Sequence, residues 1–348
     1  MSHKNPGSNK NERGFTLLEL VVSMTIFMVV SGSIWGVLRI AQGSRSTISQ
    51  QTQLAKNVRL ALNLIGRDTY NAGYGYPLKN TVVLPDNRIA NALGIAVDYD
   101  TTRDTVPPII AGNNLTVDNF NTVANSKTDQ VTLIFKDSTF NVISGVSTPL
   151  DIPAASTNAS SIDELTPSSG SNAACAVNDL YLITGNSGST LGLATGLNGT
   201  TKIQFANGDL LGFNQTGTTG PLRSITTPAS MTRVRMVTYF VATDGTLTRR
   251  EYGNVTPAVA YVDEPLVYNV DDFQIKYVMD DGSLTDNPAA GPDGIAGTAD
   301  DVQGNLAAVR QIRYTVSVRS TDLNSSGQPW RETMTSTFGT RNLGYDAN

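Results

Sequence analysis

Histidine and cysteine are almost absent from this chain of 348 residues, which has one of each. The histidine, His3, precedes a signal that we interpret as a cleavage site, so the mature chain would have none. That excludes His-based triads, Cys–His pairs, H-E-x-x-H helices and Cys/His zinc sites. The sequence also has no G-x-x-x-x-G-K-[ST] phosphate loop. We therefore predict that the protein is not an enzyme and needs no cofactor for catalysis.

The single cysteine, Cys175, leaves no partner for an internal disulfide. An exported domain of this protein would depend on its hydrophobic core alone for stability. The residue type favours a buried, inert thiol, and a disulfide between chains is the alternative.

Charged residues are also scarce, at 16% of the chain with a net charge of −5. The first 14 residues differ, because Lys4, Lys10 and Arg13 stand against Glu12 alone. Positive charge ahead of an apolar segment predicts that residues 1–14 are cytoplasmic and that the rest is directed outward. The apolar segment is too long for an ordinary secretory signal, and no small-residue cleavage site follows it.

One long apolar run, from Phe15 to Leu38, contains a single charged residue, Glu19. Its 24 residues would form a helix of about 36 Å, enough to cross a hydrocarbon core of about 30 Å. An unpaired carboxylate near the start of such a segment costs about 2.5 kcal/mol or more, so Glu19 is a candidate functional residue.

Residues 13–20, Arg-Gly-Phe-Thr-Leu-Leu-Glu-Leu, carry a specific pattern: a basic residue, glycine, phenylalanine and then a glutamate inside the apolar run. This pattern resembles the signal of type IV pilins and of the related pseudopilins of type II secretion. The resemblance implies that a membrane peptidase cuts after Gly14 and that the new N-terminal Phe15 is methylated. Glu19 would then lie one helical turn from the new amine and neutralise it, within one subunit or between neighbours.

Beyond residue 38 the helix is predicted to continue as an amphipathic stem over residues 39–66. Its apolar residues recur at helical spacing, and the polar residues lie off that stripe. The stripe consists of Ile48, Ala55, Val58, Leu62 and Ile65. Gly66 and the turn residues 71–77 predict the end of the helix.

Residues 67–348 are predicted to form a large antiparallel β-rich domain, which gives an α+β, pilin-like fold class. Strands are predicted at residues 82–84, 130–135, 179–184, 270–279, 311–319 and 332–338. A hairpin is predicted between residues 233–241 and 247–252, across Asp244-Gly245. Residues 144–178 and 186–229 are predicted to be surface loops, and the interval 185–232 allows a subdivision of the domain.

Weaker patterns in the later part of the chain resemble PilW-type minor pilins. They are the Tyr70–Tyr74 turn after the stem, residues 247–250 and 265–277, and the closing residues 335–342. The resemblance implies a minor pilin that takes part in priming pilus assembly and is located at the pilus tip or base. The implied partners are other minor pilins, the major pilin, the prepilin peptidase and methylase, the assembly platform and the inner membrane. A J-type pseudopilin is one alternative, and a tip-displayed adhesive module that uses residues 85–230 is another.

Two charged clusters remain. One is a group of six aspartates within residues 280–301. Oxygen-rich flexible loops can bind Ca²⁺. The spacing of these aspartates fits no EF-hand, and a solvated loop is the alternative interpretation. That cluster consists of Asp280, Asp281, Asp286, Asp293, Asp300 and Asp301. Four arginines of the predicted hairpin could contact phosphate, but the acidic net charge makes pairing with nearby acids the favoured interpretation. They are Arg233, Arg235, Arg249 and Arg250.

Overall fold

A computed structural model describes residues 15–77, 82–85, 87–94, 103–117, 127–153, 164–214, 222, 225–255, 259–288, 308–323 and 327–343. The chain divides into two compact units, Met1–Gln53 and Leu54–Asn348. The α+β, pilin-like class that the sequence predicts is confirmed: a long N-terminal helix is followed by a large antiparallel β-rich domain.

In the part of the chain that the structure describes, the helices with defined bounds are α1 (Leu17–Asn71) and α2 (Arg88–Leu93), and Arg341–Leu343 form a 3-10 turn. The strands of the described residues are β1 (Val83–Pro85), β2 (Arg103–Thr105), β3 (Ile109–Val117), β4 (Lys127–Lys136), β5 (Val142–Ile143), β6 (Val146–Ser147), β7 (Leu150–Ile152), β8 (Glu164–Leu165), β9 (Leu180–Gly185), β10 (Gly188–Leu193), β11 (Gly196–Asn198), β12 (Lys202–Gln204), β13 (Ala229–Val241), β14 (Leu247–Tyr252), β15 (Tyr261–Val267), β16 (Val270–Met279), β17 (Leu284–Thr285), β18 (Val309–Leu323) and β19 (Pro329–Gly339).

The first unit contains the apolar part of α1. A stretch of 26 residues, Leu17–Gln42, has a mean hydropathy of 2.0, and none of it is buried within the protein. Hydroxyl side chains in this stretch donate to the carbonyl oxygen one turn earlier: Ser23 Oγ to Glu19 O at 2.6 Å and Ser33 Oγ to Val29 O at 2.9 Å. Each of these hydrogen bonds lowers the free-energy cost of placing a hydroxyl side chain in an apolar environment.

The second unit begins with the last part of α1, which packs on the β-rich domain. Val58, Leu62 and Ile65 are buried in the largest hydrophobic core, as the predicted stripe requires. Ile48, which belongs to the first unit, is 62% exposed, so the stripe is not covered along its whole length. The same core contains Tyr239 of β13 and Phe273 of β16.

The sequence predicts that the helix ends at Gly66, and this is wrong because α1 continues to Asn71. Gly66 is buried, and a Cβ atom there would collide with the ring of Phe338 on β19. The glycine therefore permits close approach of a strand rather than capping the helix. The left-handed residue that follows the helix is Gly73, whose φ is 79° and whose N–H donates to Ile134 O of β4 at 2.9 Å.

Two sheets form most of the domain. The eight-stranded sheet has the order β10-β9-β13-β14-β15, with β4 and β7 also pairing with β13, and β3 pairing with β4. The four-stranded sheet has the order β17-β16-β18-β19. The predicted hairpin is confirmed as β13 and β14, in register from Met236 opposite Tyr252 to Val241 opposite Leu247. The other predicted strands are confirmed within a few residues of their expected bounds.

The prediction of surface loops at residues 144–178 and 186–229 is wrong in part. Strands β6, β7 and β8 lie in the first interval, and β10, β11 and β12 lie in the second. Residues of these intervals contribute to a separate hydrophobic core, in which Ile203 and Phe205 are fully buried. Apolar residues occur there singly or in short runs among Gly, Ser and Thr, so the sequence has no clear period of two. The interval 185–232 ends in the first residues of β13, which pair with β9. The later residues of β13 pair with β4, so the same strand continues into the rest of the eight-stranded sheet.

One buried carboxylate links the two sheets. Asp129 on β4 accepts hydrogen bonds from Ile275 N of β16 at 2.7 Å and from Asn114 N at 2.8 Å. Burial raises the pKa of Asp129 from 3.8 to about 6, although the two N–H donors lower it. The folded chain therefore retains a proton that the unfolded chain loses, and the associated stability, full below about pH 4, is lost as the pH rises through 6.

We expect the wild-type protein to lose about 1 kcal/mol of unfolding free energy between pH 5 and pH 7 that an Asp129→Asn variant does not lose. Denaturant unfolding of both proteins at pH 5, 6 and 7 measures this difference. Other titrating groups cancel in the comparison because both proteins share them. Parallel pH profiles of the two proteins would show that Asp129 titrates near its ordinary value.

Candidate functional site

The start of α1 is held by reciprocal hydrogen bonds between Thr16 and Glu19. Thr16 immediately precedes the helix, and its backbone N–H and its hydroxyl each lie 3.1 Å from Glu19 Oε2. In return, Glu19 N donates to Thr16 Oγ1 at 3.3 Å. This reciprocal arrangement, with threonine at the N-cap and glutamate three residues later, is a capping box. It satisfies backbone donors that the first helical turn would otherwise leave unpaired.

The capping box describes Glu19 in the uncleaved chain, so the predicted pairing of Glu19 with the amine of a cleaved Phe15 stays a prediction. Phe15 lies before the helix and is 83% exposed, so it does not share a helical face with Glu19 in the chain that carries residues 1–14. The carboxylate of Glu19 contacts Thr16 instead, through one of its two oxygens. Gly14, the predicted cleavage residue, lies outside the described residues.

Thr16 is the residue that the sequence analysis missed. Its signal was present in the spacing Thr16-Leu17-Leu18-Glu19, in which a hydroxyl residue stands three positions before a glutamate at the start of an apolar run. The same glutamate fits two roles, as partner of the amine of Phe15 and as the capping residue of the helix, and the predicted role was the first. The helix N-terminus also favours a carboxylate at this position, by about 0.3–1 kcal/mol.

Past the capping box, the helix surface is apolar on all sides. Phe27, Val29 and Trp35 are each about 70% exposed, and they point in different directions around the helix. A helix that is apolar all round is stable in a bilayer or among other apolar helices rather than in water. The site therefore consists of a capped helix start with a carboxylate, followed by a segment that needs an apolar environment.

At the other end of α1, a buried ionic network fixes the helix to the hairpin. Asp68 is 2% exposed, and its Oδ2 accepts from Tyr239 Oη at 2.7 Å and from Arg249 Nε at 3.2 Å. Arg249 Nη1 also donates to Glu251 Oε2 at 3.1 Å, and Glu251 binds Arg235 in a bidentate pair. Burial, followed by the charge of Asp68, raises the pKa of Tyr239, so the tyrosine remains a hydrogen-bond donor.

The four hairpin arginines all pair with acids, which was the favoured interpretation. Arg233 binds Asp137 at 2.8 Å and Asp179 at 3.3 Å, and Arg250 binds Asp263 at 2.7 Å. The two others belong to the network around Asp68. Their charge is therefore largely offset within the domain, and they act as links between neighbouring strands.

The aspartates of the candidate Ca²⁺ segment are only partly within the described residues. Asp286 pairs with Lys276 at 3.1 Å, Asp281 accepts from Ser283 N at 2.8 Å, and Asp280 lies 3.8 Å from Arg310. Within the described ranges, no group of three or more His, Cys, Asp or Glu side chains is arranged to hold a metal ion. Asp293, Asp300 and Asp301 lie outside those ranges, so Ca²⁺ binding stays a prediction.

Cys175 is buried with a free thiol, as predicted. Burial raises the pKa of the thiol, although the neighbouring hydroxyl of Tyr181 opposes that effect. A thiol of this kind is a poor nucleophile and a poor metal ligand at neutral pH.

Comparison with known proteins gives one match to a family model. Residues 9–35 match the prokaryotic N-terminal methylation motif, a stretch that contains Gly14, Phe15, Thr16 and Glu19. A comparison with curated proteins finds no match. The motif supports a type IV pilin-like protein, either a pilin or a pseudopilin. It implies processing by a prepilin peptidase and assembly with other pilins.

Proposed function

We propose that this protein is a minor type IV pilin of the PilW type, which takes part in priming pilus assembly and is located at the pilus tip or base. The observation that carries the proposal is the position of Glu19, a carboxylate in a capping box at the start of an otherwise apolar helix within a methylation motif. Such a helix start is stable in a bilayer only if the carboxylate has hydrogen-bond donors or a positive charge beside it.

Cleavage after Gly14 would create an amine at Phe15, immediately before the N-cap. The capping hydrogen bonds use Glu19 Oε2, so the other carboxylate oxygen can accept from the amine of Phe15 in the same or a neighbouring subunit. Neutralising both charges removes the cost of holding either one in hydrocarbon. This pairing would favour the lateral association of subunits at the base of a nascent filament.

The size of the domain and the later sequence patterns support a minor pilin. Residues 54–348 form one compact unit that starts in α1, and the PilW-like turn at Tyr70–Tyr74 lies where α1 meets β4. The shared methylation motif also favours a J-type pseudopilin of type II secretion as the second candidate. Recovery of the protein with sheared surface pili, rather than a requirement for it in protein secretion, distinguishes the two.

The first test concerns processing. We expect the protein extracted from membranes to begin at N-methylated Phe15 in cells that have the prepilin peptidase and at its unprocessed N-terminus in cells that lack it. Intact-mass measurement with N-terminal sequencing reads both states, and a Gly14→Ala variant should resemble the peptidase-negative cells. An unprocessed N-terminus in peptidase-positive cells would reduce residues 17–42 to a plain membrane anchor.

A further inference from the structure

A cleft lies at the C-terminal end of α1, entirely within the second unit. It has a volume of about 690 Å³ and is bounded by the helix end, the end of β4 and the closing 3-10 turn. We name it the helix-end cleft and define it by the side chains Arg67, Tyr70, Tyr74, Lys136, Arg235 and Arg341. Clefts of about 300–1,000 Å³ are typical of small-molecule sites.

The charge of the helix-end cleft is opposite to that of the whole chain. Four cations line it, together with two carboxylates, Asp68 and Asp137. Both carboxylates are already engaged, Asp68 by Tyr239 and Arg249 and Asp137 by Arg233 at 2.8 Å. The side chain of Arg67 is 62% exposed at the rim, although it also pairs with Asp68. Glu251 offsets the charge of Arg235, so the excess of positive charge in the cleft comes from Arg67, Lys136 and Arg341, in a protein whose net charge is −5.

The cleft also presents aromatic surface. Tyr70 and Tyr74 are 48% and 49% exposed, which is high for tyrosines beside a folded core. Tyr70 is held in place, because Arg341 Nη1 donates to its hydroxyl at 2.5 Å and Asn342 Nδ2 donates to its carbonyl oxygen at 3.0 Å. The backbone of Tyr74 is fixed by a hydrogen bond from Lys136 N at 2.8 Å. Both rings are thus held on a rigid backbone.

We propose that the helix-end cleft binds a saccharide with a terminal carboxylated sugar. The C–H face of a sugar packs on tyrosine rings, its hydroxyls bond to the amides of Asn71 and Asn342, and its carboxylate pairs with a guanidinium. A single-stranded nucleic acid also stacks on aromatic side chains, but it needs an open basic groove that follows its backbone. This site is a bounded cleft beside engaged carboxylates, which suits one negative charge better than many.

Ligand binding to the full-length protein in detergent micelles tests the proposal. The probes are 3′-sialyllactose and cellobiouronate, each with one carboxylate on its terminal sugar. Lactose and cellobiose are the neutral counterparts, and a thymidine hexanucleotide is the nucleic-acid probe. We expect calorimetry at low salt to show binding of at least one carboxylated probe and of neither neutral one. Arg67→Gln and Tyr74→Ala should each weaken that binding about tenfold or more.

Arg313→Gln is the matched control, since Arg313 is an exposed arginine on β18 that does not line the cleft. It should bind like the wild type, and unchanged melting temperatures must accompany the weakened binding of the two cleft variants. The proposal is overturned if neither carboxylated probe binds, if the neutral probes bind equally well, or if only the hexanucleotide binds. None of these outcomes depends on pilus assembly, so the proposed function is tested separately.

Discussion

Replacing Arg249 by methionine is expected to lower the unfolding free energy by about 3 kcal/mol, because it removes the only buried cation beside Asp68 among the described residues. Within that part of the chain, Asp68 then keeps only Arg67, which is 62% exposed, as an ion-pair partner, and Glu251 keeps only Arg235. The side chain of Arg249 is 7% exposed and lies between Asp68 and Glu251, whose side chains are 2% and 14% exposed. Methionine fills a similar volume, so the loss reports the charge rather than a cavity. Denaturant unfolding of the full-length protein in micelles, followed by circular dichroism of the β-rich domain, measures the effect.

Two comparisons make the result specific. Lys276→Met removes an ion pair whose partners are about half exposed, and we expect it to change stability by less than about 1 kcal/mol. Adding Asp68→Asn to Arg249→Met removes the carboxylate that has lost its buried cation, so the double variant should be more stable than Arg249→Met alone. If Arg249→Met costs no more than Lys276→Met, the network does not hold α1 on the hairpin.

This network also shows why the sequence predicts some parts of the molecule and not others. Asp68 and Arg249 are 181 positions apart in the chain, and neither has a local pattern that identifies its partner. The hairpin that carries Arg249 was predictable, because alternating residues and a short Asp-Gly turn encode it locally. The sequence thus indicated that the arginines would pair with acids, but only the fold identified which acids.

Two glycines near the end of α1 also show which structural features a local sequence pattern can predict. Gly66 resembles a helix C-cap in sequence, because glycine followed by a turn is the usual signal. Its actual constraint is the ring of Phe338, which arrives from the last strand of the domain. A local rule cannot anticipate a contact made by a residue so far along the chain. The left-handed turn that does follow the helix, at Gly73, belongs to the residues that the sequence had marked as turn-forming.

The candidate site at the N-terminus was the most predictable part, since its pattern is contiguous. Lys10, Arg13, Glu19 and most of the apolar run lie within residues 9–35, the range that matches the methylation motif. The capping box was also predictable from the residues Thr16 to Glu19, but it was not among the predictions. The helix-end cleft was not predictable, because it combines residues from α1, β4, β13 and the chain end.

Replacing Glu19 by glutamine is expected to reduce the amount of this protein in sheared pili by about 10- to 100-fold, because an unpaired charge in the membrane costs 2.5 kcal/mol or more. Glutamine at this position retains the capping hydrogen bonds, since its carbonyl oxygen also accepts from the N–H of Thr16. It removes only the negative charge that would pair with the amine of Phe15. Quantitative immunoblotting of pili and membrane fractions measures the ratio, and mass spectrometry should show that processing is unchanged.

Thr16→Val is the converse variant, because it removes the capping hydroxyl and keeps the carboxylate. Loss of such a cap costs about 1 kcal/mol of helix stability, so we expect incorporation to fall much less than in Glu19→Gln. Glu19→Ala removes both functions and should be at least as impaired as Glu19→Gln. If Glu19→Gln instead assembles like the wild type while Thr16→Val and Glu19→Ala do not, Glu19 acts by starting the helix and the pairing with Phe15 is wrong. The three variants therefore separate the charge of Glu19 from its place in the capping box, which the wild-type structure combines in one side chain.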